Sequence, residues 1–209
     1  GAALPVKHGA PLRLRIERQL AYKIAGTTPV HIDENPMPAI IGTGFHLHVQ
    51  HMIERLDPRR YLVETKVEYK GIPGTVDLYD RRRRTVIDWK STSKAKLRRL
   101  RTHGPPMRAQ VQIQIYGAAL KALGEDPARL ALAYVPRDGS LEDLWVWSTT
   151  PDQALVDRWI FRFESIADPL AAGSGPGDHP ALPGPLCSYC PFFLPTSTDL
   201  SRGCPGPNL

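Results

Sequence analysis

Residues 74–91 read GTVDLYDRRRRTVIDWKS, setting two carboxylates and an ammonium among apolar side chains. Asp77 lies between Val76 and Leu78, and Asp88 and Lys90 flank Trp89. On an extended strand, side chains two apart share a face, about 7 Å from each other. Asp88 and Lys90 therefore project together, and Trp89 points the other way into packing. If 74–80 and 85–91 pair as a hairpin, Asp77 comes beside Asp88. Two carboxylates held close repel, so one protonates unless a cation sits between them. A hard divalent ion such as magnesium or manganese binds carboxylate oxygen and keeps several waters. Such an ion activates water and stabilises a leaving oxygen, and an ammonium beside it can orient the water. Phosphodiester hydrolysis has these requirements. The plainer alternative for Asp88 and Lys90 is a surface ion pair on an edge strand.

These groups need a sheet and flanking helices to position them. In YLVETKVEYK, Tyr61, Val63, Thr65, Val67 and Tyr69 fall on one face and Glu64, Lys66, Glu68 and Lys70 on the other. That alternation predicts a half-buried strand. Residues 71–74 (GIPG) turn the chain into a second strand over 74–80, and the arginine run 81–84 turns it again into a third over 85–91. Three strands joined by short turns imply an antiparallel meander.

Helical spacing marks residues 11–25, then 40–56 after a loop HIDENPMPA, then 107–123. The helix over 40–56 carries His46, His48 and His51 beside Ile41, Phe45, Val49, Met52, Ile53 and Leu56. Core histidines on an apolar helix are the ordinary reading of all three. ALAYVP (131–136) and LEDLWVWST (141–149) read as two more strands joined at 137–140. Thr150-Pro151-Asp152-Gln153 has the form of a capping box with proline at the first helical position, opening a helix through Leu155, Trp159, Phe163 and Ile166.

The composition is 42% hydrophobic and 23% charged, which excludes global disorder. No apolar run reaches the roughly 20 residues of a membrane span, and no signal peptide is evident. Three cysteines, all within 187–204, do not make a secreted disulfide framework. An intracellular, cytoplasmic protein is expected. The net charge is +6, but residues 81–108 hold eleven Lys or Arg and one acid, so the rest of the chain is net −4. Such clustering fits a polyanionic partner, nucleic acid above all, against the alternative of a solvated basic surface.

Four short motifs occur in order: Gly42-Thr-Gly-Phe-His46, Gly74-Thr-Val-Asp77, Asp88-Trp-Lys90 and Gln112-Ile-Gln-Ile-Tyr116. Together they resemble the RecB-like branch of the PD-(D/E)XK nuclease superfamily, over residues 42–204. The C-terminal cysteines make the chain similar to the iron–sulfur exonucleases related to the CRISPR-adaptation nucleases. The resemblance implies an α/β fold, a restriction-endonuclease-like core with a mixed central sheet flanked by helices. It implies that His46, Asp77, Asp88 and the main-chain carbonyl of Trp89 hold a magnesium or manganese ion, with Asp77, Asp88 and Lys90 catalytic. Gln112 and Tyr116, four apart on one helix face, would hold the DNA strand or the site, with plain helix packing as the alternative. Arg81 to Arg84 at a solvated turn would grip phosphate. The basic segment 94–101, with Arg98, Arg99 and Arg101, would line the substrate path, giving salt-sensitive affinity with little sequence preference.

In that family, three C-terminal cysteines join a fourth, upstream one to hold a four-iron cluster. Here Cys187, Cys190 and Cys204 are present, and residues 1–186 hold no cysteine. The fourth ligand is then a residue preceding Gly1, a histidine or carboxylate, or absent. Zinc is the alternative metal, and three unpaired cysteines the plainer one. The expected organisation is a nuclease domain over 1–170, a Gly/Pro linker over 171–185, and a cysteine-containing tail over 186–209 that packs back on the nuclease domain. The activity implied is a divalent-metal-dependent exonuclease acting on single-stranded or frayed DNA ends in recombination, repair or phage DNA processing. A non-catalytic DNA-binding module of the same fold is the alternative. No membrane partner is expected.

Overall fold

The computed structural model describes residues 10–31, 37–181 and 187–206. The chain divides into two compact units, Asn35–Ile160 and Gly1–Glu34 with Phe161–Leu209. The first unit holds helix α2 (Met37–Glu54), strands β1 (Tyr61–Tyr69), β2 (Ile72–Asp80) and β3 (Thr85–Thr92), helices α3 (Lys94–His103) and α4 (Met107–Ala122), and strands β4 (Arg129–Pro136) and β5 (Trp145–Thr149). Helix α5 (Gln153–Ala171) begins in this unit and ends in the other.

The five strands form one sheet in the order β1-β2-β3-β4-β5. β1, β2 and β3 are the expected antiparallel meander. β4 joins β3 in parallel, and β5 closes the edge antiparallel to β4. A parallel pair needs a long crossover, which α3 and α4 supply. The sheet is mixed and flanked by helices, as the resemblance implies. Its register sets the faces. Val86, Asp88 and Lys90 pair with Leu130, Leu132 and Tyr134. Those three β4 residues belong to one buried cluster with Ile113 and Leu120 of α4. The chemistry-bearing residues of β3 therefore look toward α4. Helix and sheet meet closely: a Cβ at Gly117 would lie 2.8 Å from Leu130.

Three elements differ from the sequence expectation. Residues 94–101, given no element from sequence, are the body of α3, with Ser93 accepting from the Lys96 N–H as N-cap and Leu97 and Leu100 buried. Basic side chains hid the apolar positions 97 and 100, which set its amphipathic spacing. Asp152, not Thr150, caps α5: its carboxylate accepts from the Leu155 N–H at 2.9 Å. Gln114 fixes that start, accepting from the Asp152 N–H and donating to the Thr150 carbonyl. Finally, α2 buries less than its pattern suggests. Phe45, Val49 and Ile53 are half-buried, whereas Ile41, Met52 and Leu56 are exposed. His48 and His51 are exposed as well, so neither is a core histidine.

In the second unit, the C-terminal segment is tied to α1 (Ala10–Ile24). Tyr22 stacks on Phe192 with centroids 5.0 Å apart and donates its hydroxyl to the Leu200 carbonyl at 2.6 Å. The Val30 and His31 N–H groups both donate to the Pro191 carbonyl. These contacts tie the C-terminal segment to α1 and to the residues that follow it. The predicted linker contains a turn at Pro176–Asp178 and a buried His179, and residues 182–186 of it lie outside the described residues.

Candidate active site

The β2–β3 ladder runs from Asp80↔Thr85 to Leu78↔Ile87 and stops. One step on, the Asp77 side chain takes over: its Oδ2 accepts the Trp89 backbone N–H at 2.7 Å. A carboxylate has replaced a ladder carbonyl, and the two strands part around it. Trp89 turns to the opposite face and meets Phe45 of α2 edge-on, 6.5 Å between centroids. Asp88 and Lys90 project to the α4 side, with Lys90 Nζ 2.8 Å from Asp88 Oδ2. β3 is the central strand and Asp88 is 2% exposed, so this pair is not the surface ion pair of an edge strand.

Lys90 has a second partner. Its Nζ donates to Gln112 Oε1 at 3.0 Å, and Gln112 Nε2 donates to the Tyr116 hydroxyl at 2.8 Å. The D-x-K and Q-x-x-x-Y motifs are one hydrogen-bonded chain, Asp88–Lys90–Gln112–Tyr116. The Tyr116 ring also explains a third motif. A Cβ at Gly74 would lie 2.5 Å from Tyr116 Cε1, so the glycine of G-x-x-D makes room for the tyrosine of Q-x-x-x-Y.

His46 reaches the same place from α2, with Nδ1 3.4 Å from Asp77 Oδ2. Among the described residues, the group of metal-type donors lying within 4.8 Å of one another is His46, Glu64 and Asp77. Strand alternation places Glu64 on the solvent face of β1. It is instead half-buried, with Oε1 4.0 Å from His46 Nδ1. The cause is in the backbone. Glu64 has φ +44° in mid-strand, a left-handed conformation that costs a non-glycine residue about 1–3 kcal/mol. Val63↔Leu78 and Thr65↔Val76 are paired on either side of it, but Glu64 and Asp77 are not paired with each other. No alternation rule anticipates such a kink, so sequence reading missed Glu64.

The electrostatics match the geometry. Burial, then the facing charge of Asp88, pushes Asp77 up to about 6, against the Trp89 N–H and His46. Burial also raises Asp88, with Lys90 pulling the other way. An acid pair in this condition favours an added cation. One imidazole nitrogen and carboxylate oxygens are a donor set that suits a divalent ion, so the residues present fit one.

The basic residues are distributed unevenly. Arg98 and Arg99 are exposed on α3, and Arg101 is exposed while donating to the Asp143 carbonyl. Of the turn arginines, Arg81 pairs with Glu125 and Arg84 with Asp126. Those two are tethered to acids rather than free to grip phosphate, because Glu125 and Asp126 follow α4 into the space beside the turn. Arg82 and Arg83 are exposed.

Residues 43–193 match the profile of the PD-(D/E)XK nuclease superfamily. The chain belongs to that superfamily. No match was found among the curated proteins. Solved structures share the fold of this nuclease at low identity. The structure of SSO0001 matches with a TM-score of 0.51 at 20% identity, over 86% of this chain and 80% of that one. A phage-related exonuclease from Haemophilus somnus 129PT gives 0.50 at 13%, over 75% and 81%. The alkaline exonuclease LHK-Exo from Laribacter hongkongensis gives 0.53 at 11%, over 80% and 84%.

The three cysteines of the nuclease lie in the second unit and are half-buried. Cys190 N–H donates to the Cys187 carbonyl, and Cys204 N–H to the Phe192 carbonyl. Burial raises the Cys190 thiol, with added push from Cys204 and Cys187. Arg18 Nη1 stands 3.8 Å from Cys204 Sγ. Burial and then the neighbouring Cys204 push Tyr22 up to about 12. Among the described residues no helix is long and apolar enough to cross a membrane.

Proposed function

We propose that this nuclease is a divalent-metal-dependent deoxyribonuclease that trims single-stranded or frayed DNA ends as an exonuclease, with little sequence preference. The observation that carries the reading is Asp77 set against Asp88 where β2 leaves β3, with Lys90 held between Asp88 and Gln112. His46, Asp77, Asp88 and the Trp89 carbonyl would hold magnesium or manganese, which when bound supplies Lewis acidity and an activated water. Lys90 presents its ammonium to the scissile phosphate, neutralising charge and orienting the attacking water. Gln112 fixes where that ammonium sits, and Tyr116 fixes Gln112, so both belong to the site rather than to strand binding alone. Arg98, Arg99 and Arg101 stand on the exposed face of α3, where they would contact phosphates without reading bases. In the second unit, Cys187, Cys190 and Cys204 would hold an iron–sulfur cluster, with zinc as the other candidate. Its role is structural, since hydrolysis transfers no electrons.

End-labelled single and double strands, incubated with magnesium and with manganese, test the reading. Lys90→Met and Asp88→Asn should each lower cleavage by about 10³-fold or more while DNA binding persists. Cleavage at the wild-type rate in either variant overturns it.

A further inference from the structure

We infer that Glu64 is a further ligand of the catalytic cation, gripping it with His46 and Asp77 from the β1 side, opposite Asp88, which also binds Lys90. The inference rests on the metal-nuclease reading above and adds to it a residue that lies outside the ligand set implied by the family resemblance.

Three observations converge on Glu64. The first is distance. His46 Nδ1 is 3.4 Å from Asp77 Oδ2 and 4.0 Å from Glu64 Oε1, and the three donors fall within 4.8 Å of one another. On an octahedral ion with bonds of about 2.1 Å, adjacent donors lie about 3 Å apart and opposite donors about 4.2 Å. The observed spacings fall close to that range, so small side-chain rotations would close the shell.

The second is that Asp88 alone leaves the shell short of a close carboxylate. It is not in the group of converging donors; its Oδ2 is engaged by Lys90 at 2.8 Å. The carboxylate that joins His46 and Asp77 is the one from β1.

The third is how Glu64 gets there. Strand alternation after residue 65 puts Lys66 and Glu68 in solvent and Val67 in the core. Glu64 breaks that rhythm by taking φ +44°, opposite the one position where β2 also leaves its ladder to β3. Glycine would hold this conformation with less strain. A glutamate there keeps a strained backbone in order to deliver a carboxylate.

Manganese binding to chelator-stripped protein, read without DNA from loss of the free-ion electron paramagnetic resonance signal, tests the inference. Wild type should bind, and Asp77→Asn should not. Glu64→Gln should weaken binding by about 10- to 100-fold. Glu64→Gly should show the same loss while melting, metal-free, at or above the wild-type temperature, because glycine relieves the φ +44° strain. The glycine variant keeps the test valid if the glutamine variant folds poorly. If wild type and Asp77→Asn bind manganese alike, or neither binds, the metal-nuclease reading itself falls. If Asp77→Asn loses binding but both Glu64 variants bind as wild type does, only the assignment of Glu64 is overturned.

Discussion

Asp77 and Asp80 stand three residues apart on β2 and are similarly withdrawn from water, their side chains 10% and 6% exposed. Their ionisation moves in opposite directions. Asp80 accepts from Arg60 Nε at 3.1 Å and Nη2 at 2.7 Å and from the Arg83 N–H at 3.0 Å. Those bonds, the guanidinium first, hold it below the usual carboxylate range. Asp77 receives one backbone N–H, faces Asp88, and is pushed up to about 6. Burial raises both, and Asp77 the more; the facing charge of Asp88 adds to it there, whereas at Asp80 the guanidinium and N–H donors outweigh it. The protein satisfies one carboxylate from its own donors and leaves the other short of positive charge. A structural acid is completed by the fold; a reactive one is completed by what the fold binds.

The largest effect that could break this comparison is on cleavage. Asp77→Asn should lower metal-dependent DNA hydrolysis by about 10³-fold or more, whereas Asp80→Asn should stay within about threefold of wild type at a temperature where both are folded. Stability should reverse the order. In chelator at pH 7.5, Asp77→Asn removes a buried charge opposed by Asp88 and should raise the melting temperature by roughly 2–8 °C. Asp80→Asn leaves guanidinium donors underpaired and should lower stability by about 1–3 kcal/mol. If both variants shift cleavage and melting in the same direction, the two acids are not the different kinds proposed here.

Much of this was legible in the sequence because it depends on short periods. The alternation in 74–80 and 85–91, with turns between, gives the hairpin and the shared face of Asp88 and Lys90. What could not be read depends on departures from period. Glu64 follows the alternation in sequence and breaks it in space. The crossover helix α3 was hidden because its apolar positions, Leu97 and Leu100, are outnumbered by Lys and Arg. The tethering of Arg81 and Arg84 needed Glu125 and Asp126, more than forty residues away, and no local rule supplies that partner. Gln112 and Tyr116 were visible as a pair on one helix face, but their link to Lys90 depends on how α4 crosses the sheet.

Gly74, at the other end of β2 from Asp80, sharpens the comparison at the reactive end. Gly74→Ala places a methyl against Tyr116 Cε1. The ring must move, and with it the hydroxyl that holds Gln112 and the amide that holds Lys90. Cleavage should fall about 10- to 100-fold in kcat with little change in KM, because the ammonium is misplaced while the phosphate contacts remain. Gly44→Ala, where a methyl meets nothing within 4 Å, should keep its kcat. An equal loss in both variants would mean that Tyr116 does not position the lysine.

The smallest effect is an acid one, and its sign follows from Asp80. Its folded-state pKa is depressed, so the stability it contributes is complete above the unfolded value of about 3.9 and is lost as pH falls through the folded value. Wild type should therefore lose stability more steeply than Asp80→Asn below about pH 4, and the two melting curves should converge there, while between pH 5 and 7 their separation stays constant. Denaturant titrations at half-unit pH steps would measure this. Parallel curves through the acid range would mean that the Arg60–Asp80 pair is no stronger than its exposed counterparts, and that Asp77 stands out for its own environment rather than by contrast with a satisfied neighbour.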